Sequence, residues 1–395
     1  MVQASLGRRW VILGSLLLSR IIYSVNWFNI SPALPLIAVE MNVSITQLGL
    51  LATAFLFGIG IFQIPAGILA ARIGSRNTAM LGLVLYSIFA TLSGAAPGYE
   101  ALLLARFLTG ACMSLVFGPA IALFTPLFNT RERGLALGLF NSAFSLGGVL
   151  GLSVWAYLAA TIGWRMALIL GGLLGLILAV QNIMITRKVE DTATYRSPVS
   201  MRDLSKVIRH KDVWLLALAL TGAGSGWYVV MQFGVIYIIN SLGASLVAAG
   251  FMTSLLELTS MFGNTLGGRV SDLLGERIKL ILLFNIFIAA GVIIISIPDF
   301  GMVLLGLGLM GFSAGATYTV TYLAVSEYGE ISVRYKPLAI ALTNSTQLLG
   351  GSISPTLFAF TVEFIGFSGA LLLLGFVSVL PSAGLLLIRS PLTTD

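Results

Sequence analysis

The sequence contains one cysteine, Cys112, and one histidine, His210, in 395 residues. A single cysteine excludes an internal disulfide and a cysteine-rich metal site. The chain also lacks the Gly-x-x-x-x-Gly-Lys pattern of nucleotide-binding loops, and we find no combination of nucleophile, base and acid typical of an enzyme. We therefore expect no enzymatic activity, no metal, no cofactor and no transport driven directly by ATP.

Charged residues are scarce as well, at 9% of the chain, whereas a soluble protein carries roughly 25%. Hydrophobic residues make up 57%, and the mean hydropathy is +1.00. Apolar runs of about 20 residues, enough for a helix to cross ~30 Å of hydrocarbon, recur along the whole chain. Glycine and alanine follow helical spacing, and the alternation expected of membrane strands is missing. The sequence predicts an all-α polytopic membrane protein with the lipid bilayer as its solvent.

Eleven polar breaks divide the chain into twelve predicted spans. They fall at residues 31–46, 71–78, 97–100, 128–134, 161–165, 187–212, 241–245, 269–279, 298–301, 326–337 and 363–367. The first apolar run is too long for a cleavable signal, and no small-residue cleavage site follows it.

The positive charges predict the orientation of the chain. Of the 22 Lys and Arg residues, all but Arg20, Arg106 and Arg165 lie in the termini or in alternate loops. By the positive-inside rule these segments and both termini are cytoplasmic. The net charge of +7 therefore reflects membrane topology, and we expect a multi-pass protein of the cytoplasmic (plasma) membrane with no nucleic-acid partner.

The two halves of the sequence resemble each other. The predicted bundles, 1–186 and 213–395, flank a polar cytoplasmic linker, 187–212. At an offset of 201 residues, "GILAARIGSR" (67–76) aligns with "GRVSDLLGER" (268–277). After the offset grows by two residues, "LALGLFNSAFSLGG" (135–148) aligns with "LAIALTNSTQLLGG" (338–351). Six-span halves of equal orientation imply a pseudo-twofold axis along the membrane normal, with a site at mid-membrane between the halves. This arrangement is typical of transporters that work by alternating access.

The first of these segments, "GILAARIGSR", resembles the loop signature G-x-x-x-D-R-x-G-R-R of the major facilitator superfamily, although Ala71 replaces the aspartate. The second copy keeps the acid as Asp272. In the family this loop is thought to latch the halves together on the cytoplasmic side. The resemblance therefore implies gating roles for Arg72, Arg76, Asp272 and Arg277.

Two further stretches extend the resemblance. "RFLTG" (106–110) is similar to the family's fourth-helix R-x-x-x-G, whose arginine is often tied to proton coupling. Residues 19–67 look most like the anion:cation symporter branch, which carries organic and inorganic anions. That branch commonly has acids where this chain has Ser19 and Met113, so its proton-symport mechanism does not carry over directly. Gly151 is followed by Leu152 rather than the proline of the drug:proton antiporter signature.

Arg20 lies about ten residues into the first span, where a helix rises ~15 Å from Trp10. An arginine at this depth costs roughly 2.5–3.5 kcal/mol on insertion scales, so it needs a partner or a watery cavity. Two roles are open: its planar fork grips a substrate carboxylate or phosphate, or it is bonded to backbone carbonyls or an acid and joins helices. Glu257 is equally deep, and it is either the counter-ion of Arg20 or a proton carrier.

Other polar residues of the spans complete the candidate set. Each is either a cavity-lining group or a helix–helix hydrogen-bonding group. Arg106 either reaches the membrane interface or is a structural or coupling residue. The substrate-binding candidates are Arg20, Tyr23, Trp27, Asn141, Tyr228, Gln232, Tyr318, Asn344 and Gln347. The coupling or gating candidates are Glu257, Arg106, Arg72, Arg76, Asp272 and Arg277.

The leading hypothesis is a monomeric secondary transporter of a small organic anion, a carboxylate, sugar acid or phosphate ester. Protons or another ion are the coupling partners that we consider. One alternative is an exporter of hydrophobic or cationic compounds, in which Glu257 holds the cation. Another is a membrane receptor or scaffold that transports nothing.

Overall fold

A computed structural model describes residues 6–187, 189, 206–328, 331 and 335–388, and in these ranges every regular element is helical. The predicted linker, 187–212, lies largely outside them. The first half contains α1 (Leu6–Phe28), α2 (Ile30–Met41), α3 (Ile45–Ile73), α4 (Ser75–Gly94), α5 (Tyr99–Phe124), α6 (Thr130–Ile162) and α7 (Trp164–Thr186). The second half contains α8 (Lys211–Leu242), α9 (Leu246–Leu274), α10 (Arg277–Ile295), α11 (Phe300–Glu327), α12 (Lys336–Ser352), α13 (Ser354–Val379) and a 3₁₀ segment (Leu380–Leu387).

Eleven stretches of the described chain are long and apolar enough to cross a membrane. The last of them, Leu338–Leu387, has 50 residues and is interrupted at Gly366. Gly366 has φ 70° and ψ 173°, a conformation that glycine adopts without a steric penalty, so the helix ends and restarts there. The stretch therefore supplies two crossings, and the predicted all-α fold with twelve spans is confirmed.

The first predicted break, 31–46, is wrong in extent. The chain stays helical to Met41 and turns only at Asn42–Ser44, with an interruption between α1 and α2 at Asn29 alone. Two prolines lie in this stretch: Pro32 is the third residue of α2, where a proline removes no intrahelical hydrogen bond, and Pro35 lies inside the helix, which continues past it. Each of the other predicted breaks contains a helix end or, in the last one, Gly366.

The chain divides into two compact units. The first comprises Met1–Val43 and Ala54–Pro198, and the second comprises Ser44–Thr53 and Val199–Asp395. The start of α3 thus belongs to the second unit, where the hydroxyl oxygens of Thr53 and Thr356 lie 2.7 Å apart.

Glycines set the closest helix contacts inside each unit. A Cβ on Gly110 of α5 would collide with the carbonyl oxygen of Phe55 on α3. In the second unit a Cβ on Gly311 of α11 would collide with the carbonyl oxygen of Leu256 on α9. Gly311 and Leu256 stand 201 positions after Gly110 and Phe55, which is the offset of the sequence repeat. The same small-residue helix crossing is therefore built twice.

We predict that Gly110→Ala lowers the melting temperature of the detergent-purified protein by about 5 °C or more, because the added methyl group meets backbone and overpacking costs roughly 1–3 kcal/mol. Gly118→Ala is the matched control on the same helix, since nothing lies within 4 Å of its Cβ position. Equal melting temperatures for the two variants would contradict this account of the crossing.

Candidate functional site

Arg20 is buried among aromatic rings of the first unit. Its side chain is 7% exposed, and its guanidinium carbon lies 4.4 Å from the ring centroid of Phe144, 4.6 Å from that of Tyr23, 4.7 Å from that of Phe117 and 5.2 Å from that of Phe140. These rings come from α1, α5 and α6, and we call them the aromatic cage. Because ring faces are electron-rich, the cage stabilises the cation without supplying a carboxylate.

Two nitrogens of Arg20, Nε and Nη1, are buried and have no hydrogen-bond partner among the described residues. The hydroxyl of the preceding residue, Ser19, accepts a hydrogen bond of 2.7 Å from Asn182 Nδ2. Beside Arg20 lies a cavity of about 10 Å³, close to the volume that one water molecule needs. No carbonyl or carboxylate of the described chain therefore satisfies these two N–H groups.

The cage continues into a longer aromatic wall. Trp27 packs edge-to-face against Phe144 at 5.7 Å and against Phe55 at 5.2 Å between ring centroids, an arrangement that aromatic pairs favour. Phe55 also contacts a second cation, because the guanidinium carbon of Arg106 lies 4.4 Å from its ring centroid. One continuous wall of rings thus connects the two buried arginines.

Arg106 is 1% exposed and lies buried within the first unit, and its part in coupling stays a prediction. Its Nη1 donates to the carbonyl oxygen of Asn26 at 3.3 Å, while Nε and Nη2 have no partner among the described residues. Asn26 Nδ2 in turn donates to the carbonyl of Gly171 on α7, and Asn29 Nδ2 donates to Asn26 Oδ1. The arginine therefore braces α1 one turn before the break that separates it from α2. Sequence reasoning missed both asparagines, although two such residues three apart before Pro32 were a usable signal.

The second unit brings several predicted residues together in a polar cluster. Gln347 Nε2 donates to the hydroxyl oxygens of Tyr228 at 2.7 Å and Tyr318 at 2.6 Å, and the Tyr322 hydroxyl donates to Asn344 Oδ1 at 3.0 Å. This cluster joins α8, α11 and α12. Gln232, a turn further along α8, is also buried.

Asn141 differs from its repeat partner Asn344. Asn141 is exposed on α6, whereas Asn344 is half-buried and accepts the hydrogen bond from Tyr322. The two asparagines occupy equivalent positions of the sequence repeat, but their exposure and hydrogen bonding differ.

Glu257 is 2% exposed on α9 and lies within electrostatic reach of Tyr318. Two other polar residues of α9 are engaged in hydrogen bonds: Thr253 donates to the carbonyl of Ala249, and Asn264 accepts from Thr319. On α8 the hydroxyls of Thr221 and Ser225 donate to carbonyls four residues earlier. The side chains of these residues therefore form hydrogen bonds within and between helices.

The two copies of the loop motif use their arginines differently. Arg76 donates to the carbonyl oxygens of Thr186 and Ile183 at the C-terminal end of α7, where the helix dipole favours a cation, and Arg72 is exposed. In the second copy Arg277 forms a fork with Glu327, with Nη2 2.6 Å from Oε1, and also contacts Asp272 at 3.0 Å. Each contact lies within its own unit, so the latching role stays a prediction.

The sequence analysis missed an ion pair between Glu40 and Arg165, which lies at the helix ends opposite to those of the loop motifs. Glu40 at the end of α2 accepts from Trp164 Nε1 at 2.6 Å and from Arg165 Nε at 2.7 Å. Arg165 also donates to the carbonyls of Gly94 and Ala96. The Gly-Trp-Arg stretch at the start of α7 therefore ties together α2, α4 and α7.

The sequence profile of the Major Facilitator Superfamily matches residues 16–330 and 216–394, which together span nearly the whole chain. The chain belongs to this superfamily. It is therefore a transporter-family membrane protein and not an enzyme, as the sequence predicted.

Relatives with assigned names align over almost their full lengths. The probable sulfoacetate transporter of Cupriavidus necator is 26% identical, with 97% of this chain and 96% of the relative covered. The probable L-galactonate transporter of Escherichia coli is 25% identical, with 89% and 83% covered. The hexuronate transporter of Bacillus subtilis is 25% identical, with 95% and 94% covered.

A solved structure has the same fold. The crystal structure of a bacterial homologue of the human lysosomal transporter Spinster matches with a TM-score of 0.80 over 97% of both chains, at 16% sequence identity. At this identity the likeness concerns the fold, and it agrees with the superfamily assignment.

We predict that Arg106→Met leaves the melting temperature unchanged or raises it while slowing transport. Methionine fills a similar volume and removes two buried N–H groups that lack acceptors, and such replacements of buried charges are often neutral or stabilising. Arg165→Met is the matched control, because it removes a pair with Glu40 and should lower the melting temperature. A destabilised Arg106→Met protein with normal transport would show that Arg106 is purely structural.

Proposed function

We propose that this protein is a secondary transporter that moves a small organic anion across the cytoplasmic membrane by alternating access. Arg20 is the residue that binds the anionic group. The observation that carries the proposal is the pair of buried N–H groups, Nε and Nη1 of Arg20, that have no acceptor in the described chain.

The chemistry of the guanidinium suits an oxyanion. Its N–H groups lie in one plane as a fork that matches the two oxygens of a carboxylate. The aromatic cage contacts Arg20 at 4.4–5.2 Å and orders it, so less side-chain freedom is lost on binding. A charge-assisted hydrogen bond is also stronger in a site of low dielectric than in water.

The relatives support the same class of substrate. Those reported above are named as a probable sulfoacetate transporter, a probable L-galactonate transporter and a hexuronate transporter, and all three compounds are small organic acids. They share an anionic group and differ in the rest of the molecule. We therefore propose the anionic group as the common feature that Arg20 recognises.

The first experiment is a thermal-shift screen of the purified protein with sulfoacetate, L-galactonate, D-glucuronate and inorganic phosphate. A ligand that binds only the native state stabilises it by about 2.7 kcal/mol at a concentration of 100 times its Kd. We expect at least one organic acid to raise the melting temperature. If none did, and none were taken up by proteoliposomes, the proposed function would be wrong.

We predict that Arg20→Ala weakens binding of the stabilising acid by about 30-fold or more, since loss of one partner of a buried charged hydrogen bond costs roughly 2 kcal/mol or more. Arg20→Lys should recover part of the affinity, because it keeps the charge but not the fork. Binding is measured by titration calorimetry, with the exposed Arg209→Ala as control. Unchanged affinity in Arg20→Ala would exclude the anchor role.

A second candidate function is export of hydrophobic or cationic compounds. It is favoured by Glu257, a carboxylate that is 2% exposed at mid-helix. In that case Glu257→Gln would abolish binding of a cationic dye, and Arg20→Ala would preserve it.

A further inference from the structure

The described interior of the first unit contains two cations and no carboxylate. Arg20 and Arg106 are both buried in it. The described acids of this unit lie at helix ends, where they are paired with arginines or exposed; they are Glu40, Glu100 and Glu132. A buried charge is costly unless an opposite charge and hydrogen-bond acceptors surround it. Within this unit, the described chain therefore supplies no counter-ion to either guanidinium group.

Arg106 presents one complete edge of its guanidinium group. Its Nη1 donates to the carbonyl oxygen of Asn26, while Nε and Nη2 are buried and have no hydrogen-bond partner among the described residues. The N–H groups of Nε and Nη2 point in parallel from one edge of the planar group, and this is an edge that can bind both oxygens of a carboxylate. Arg165, by contrast, donates to the carbonyls of Gly94 and Ala96 as a structural arginine does. The geometry of Arg106 therefore suits the binding of a carboxylate.

The two arginines lie at opposite ends of the aromatic wall. Along α1, Arg20 precedes Asn26 by six residues, a helical rise of about 9 Å, and Arg106 binds the Asn26 carbonyl. Along α5, Arg106 precedes Phe117 of the aromatic cage by eleven residues, which is about three turns and brings both side chains to one face of the helix. Two helices therefore place both guanidinium groups along the same wall.

Trp27 lies between the two arginines in this wall. Its ring contacts Phe144, which belongs to the cage of Arg20, and Phe55, which contacts Arg106. Its Nε1 is buried and has no hydrogen-bond partner among the described residues. Ring surfaces pack against a carbon chain, and an indole N–H donates to a hydroxyl or carbonyl oxygen. The wall thus has donors at both ends and one in its middle, which suits an elongated molecule with an anionic group at each end.

We propose that Arg106 is a second anion-binding residue and that the transported anion is a dicarboxylate, held by one arginine at each end. This inference rests on the proposed function and adds the class of substrate. A dicarboxylate neutralises both buried guanidinium groups, whereas a monocarboxylate leaves one of them without an opposite charge. The second carboxylate therefore adds binding energy that a monocarboxylate of the same size lacks.

The spacing of the two arginines indicates the length of the substrate. In extended dicarboxylates the terminal carboxyl carbons lie about 4 Å apart with four carbons and about 6 Å apart with six. A charge-assisted hydrogen bond of about 2.8 Å at each end extends these lengths to about 10–12 Å. This slightly exceeds the rise of about 9 Å along α1, and the long arginine side chains can reach over the difference. We therefore infer a chain of four to six carbons.

The test compares the binding of D-glucarate and D-gluconate to the purified full-length protein by titration calorimetry. The two acids share a carbon chain with a hydroxylated middle, and they differ at C6, where glucarate has a carboxylate and gluconate a hydroxymethyl group. We expect glucarate to bind at least about tenfold more tightly, because only glucarate pairs with both arginines. Equal or weaker binding of glucarate would overturn the inference and leave organic-anion transport standing. Failure of every organic acid to bind or to be taken up would overturn the proposed function as well.

A variant of Arg106 shows whether this residue causes the difference. Arg106→Met should weaken glucarate binding about tenfold and change gluconate binding by no more than about twofold, and Arg106→Lys should recover part of the glucarate affinity. The exposed Arg209→Ala is the control and should keep the ratio of the two affinities. Equal weakening of both acids by Arg106→Met would mean that Arg106 does not recognise the second carboxylate, and the inference would be wrong.

A series of unbranched dicarboxylates tests the spacing on the unaltered protein. Oxalate, malonate, succinate, glutarate and adipate are each added at the same concentration, and the melting temperature is measured, since a ligand of the native state raises it. We expect the largest increase within the range from succinate to adipate, because the directly bonded carboxylates of oxalate are too close together to reach both arginines. A maximum at oxalate, or equal increases throughout the series, would contradict the inference.

Discussion

The position of a guanidinium at the centre of an apolar helix bundle constrains the rest of the first unit. A cation in a medium of low dielectric needs opposite charge, hydrogen-bond acceptors or polarisable surfaces around it. Arg20 has a hydrogen bond with Tyr23 and, above all, four rings from three helices within 5.2 Å of its guanidinium carbon. The rings hold the group in place while its donors stay available, which is the combination that a binding site for an anion requires.

The cage depends on how closely the helices approach. Gly147 and Gly151 of α6 face the backbone of α1 at Ile21 and Val25, where a Cβ on either glycine would crowd the chain. Because α6 lies this close, Phe140 and Phe144 contact the side chain of Arg20. These two glycines therefore act indirectly, by letting large side chains of α6 lie around the charge.

The two units share a plan and differ in chemistry. Gly110 and Gly311 make the same crossing at the same offset, which reflects the repeat. Arg76 binds the carbonyls at a helix end, whereas Arg277 binds the carboxylates of Glu327 and Asp272, and the first copy has Ala71 at the position of Asp272. The first unit surrounds its interior charges with rings, and the second unit builds a network of tyrosine, glutamine and asparagine hydrogen bonds.

The sequence alone determined the class of fold, the number of spans and the superfamily. These follow from local properties, since apolar length, turn residues and motif spacing are read along the chain. It also singled out Arg20, Tyr23, Trp27, Tyr228, Tyr318, Asn344 and Gln347 as candidates, because polar and aromatic groups are conspicuous in apolar helices. Only the tertiary structure decided their surroundings. In the sequence Phe117, Phe140 and Phe144 are indistinguishable from other core residues, and they contact Arg20 because α1, α5 and α6 pack together. The polar break predicted at residues 31–46 likewise proved to be helical as far as Met41. Contacts between helices depend on how each helix is rotated about its axis and how closely two helices approach. Both are set by side chains and glycines that are distant from one another in sequence.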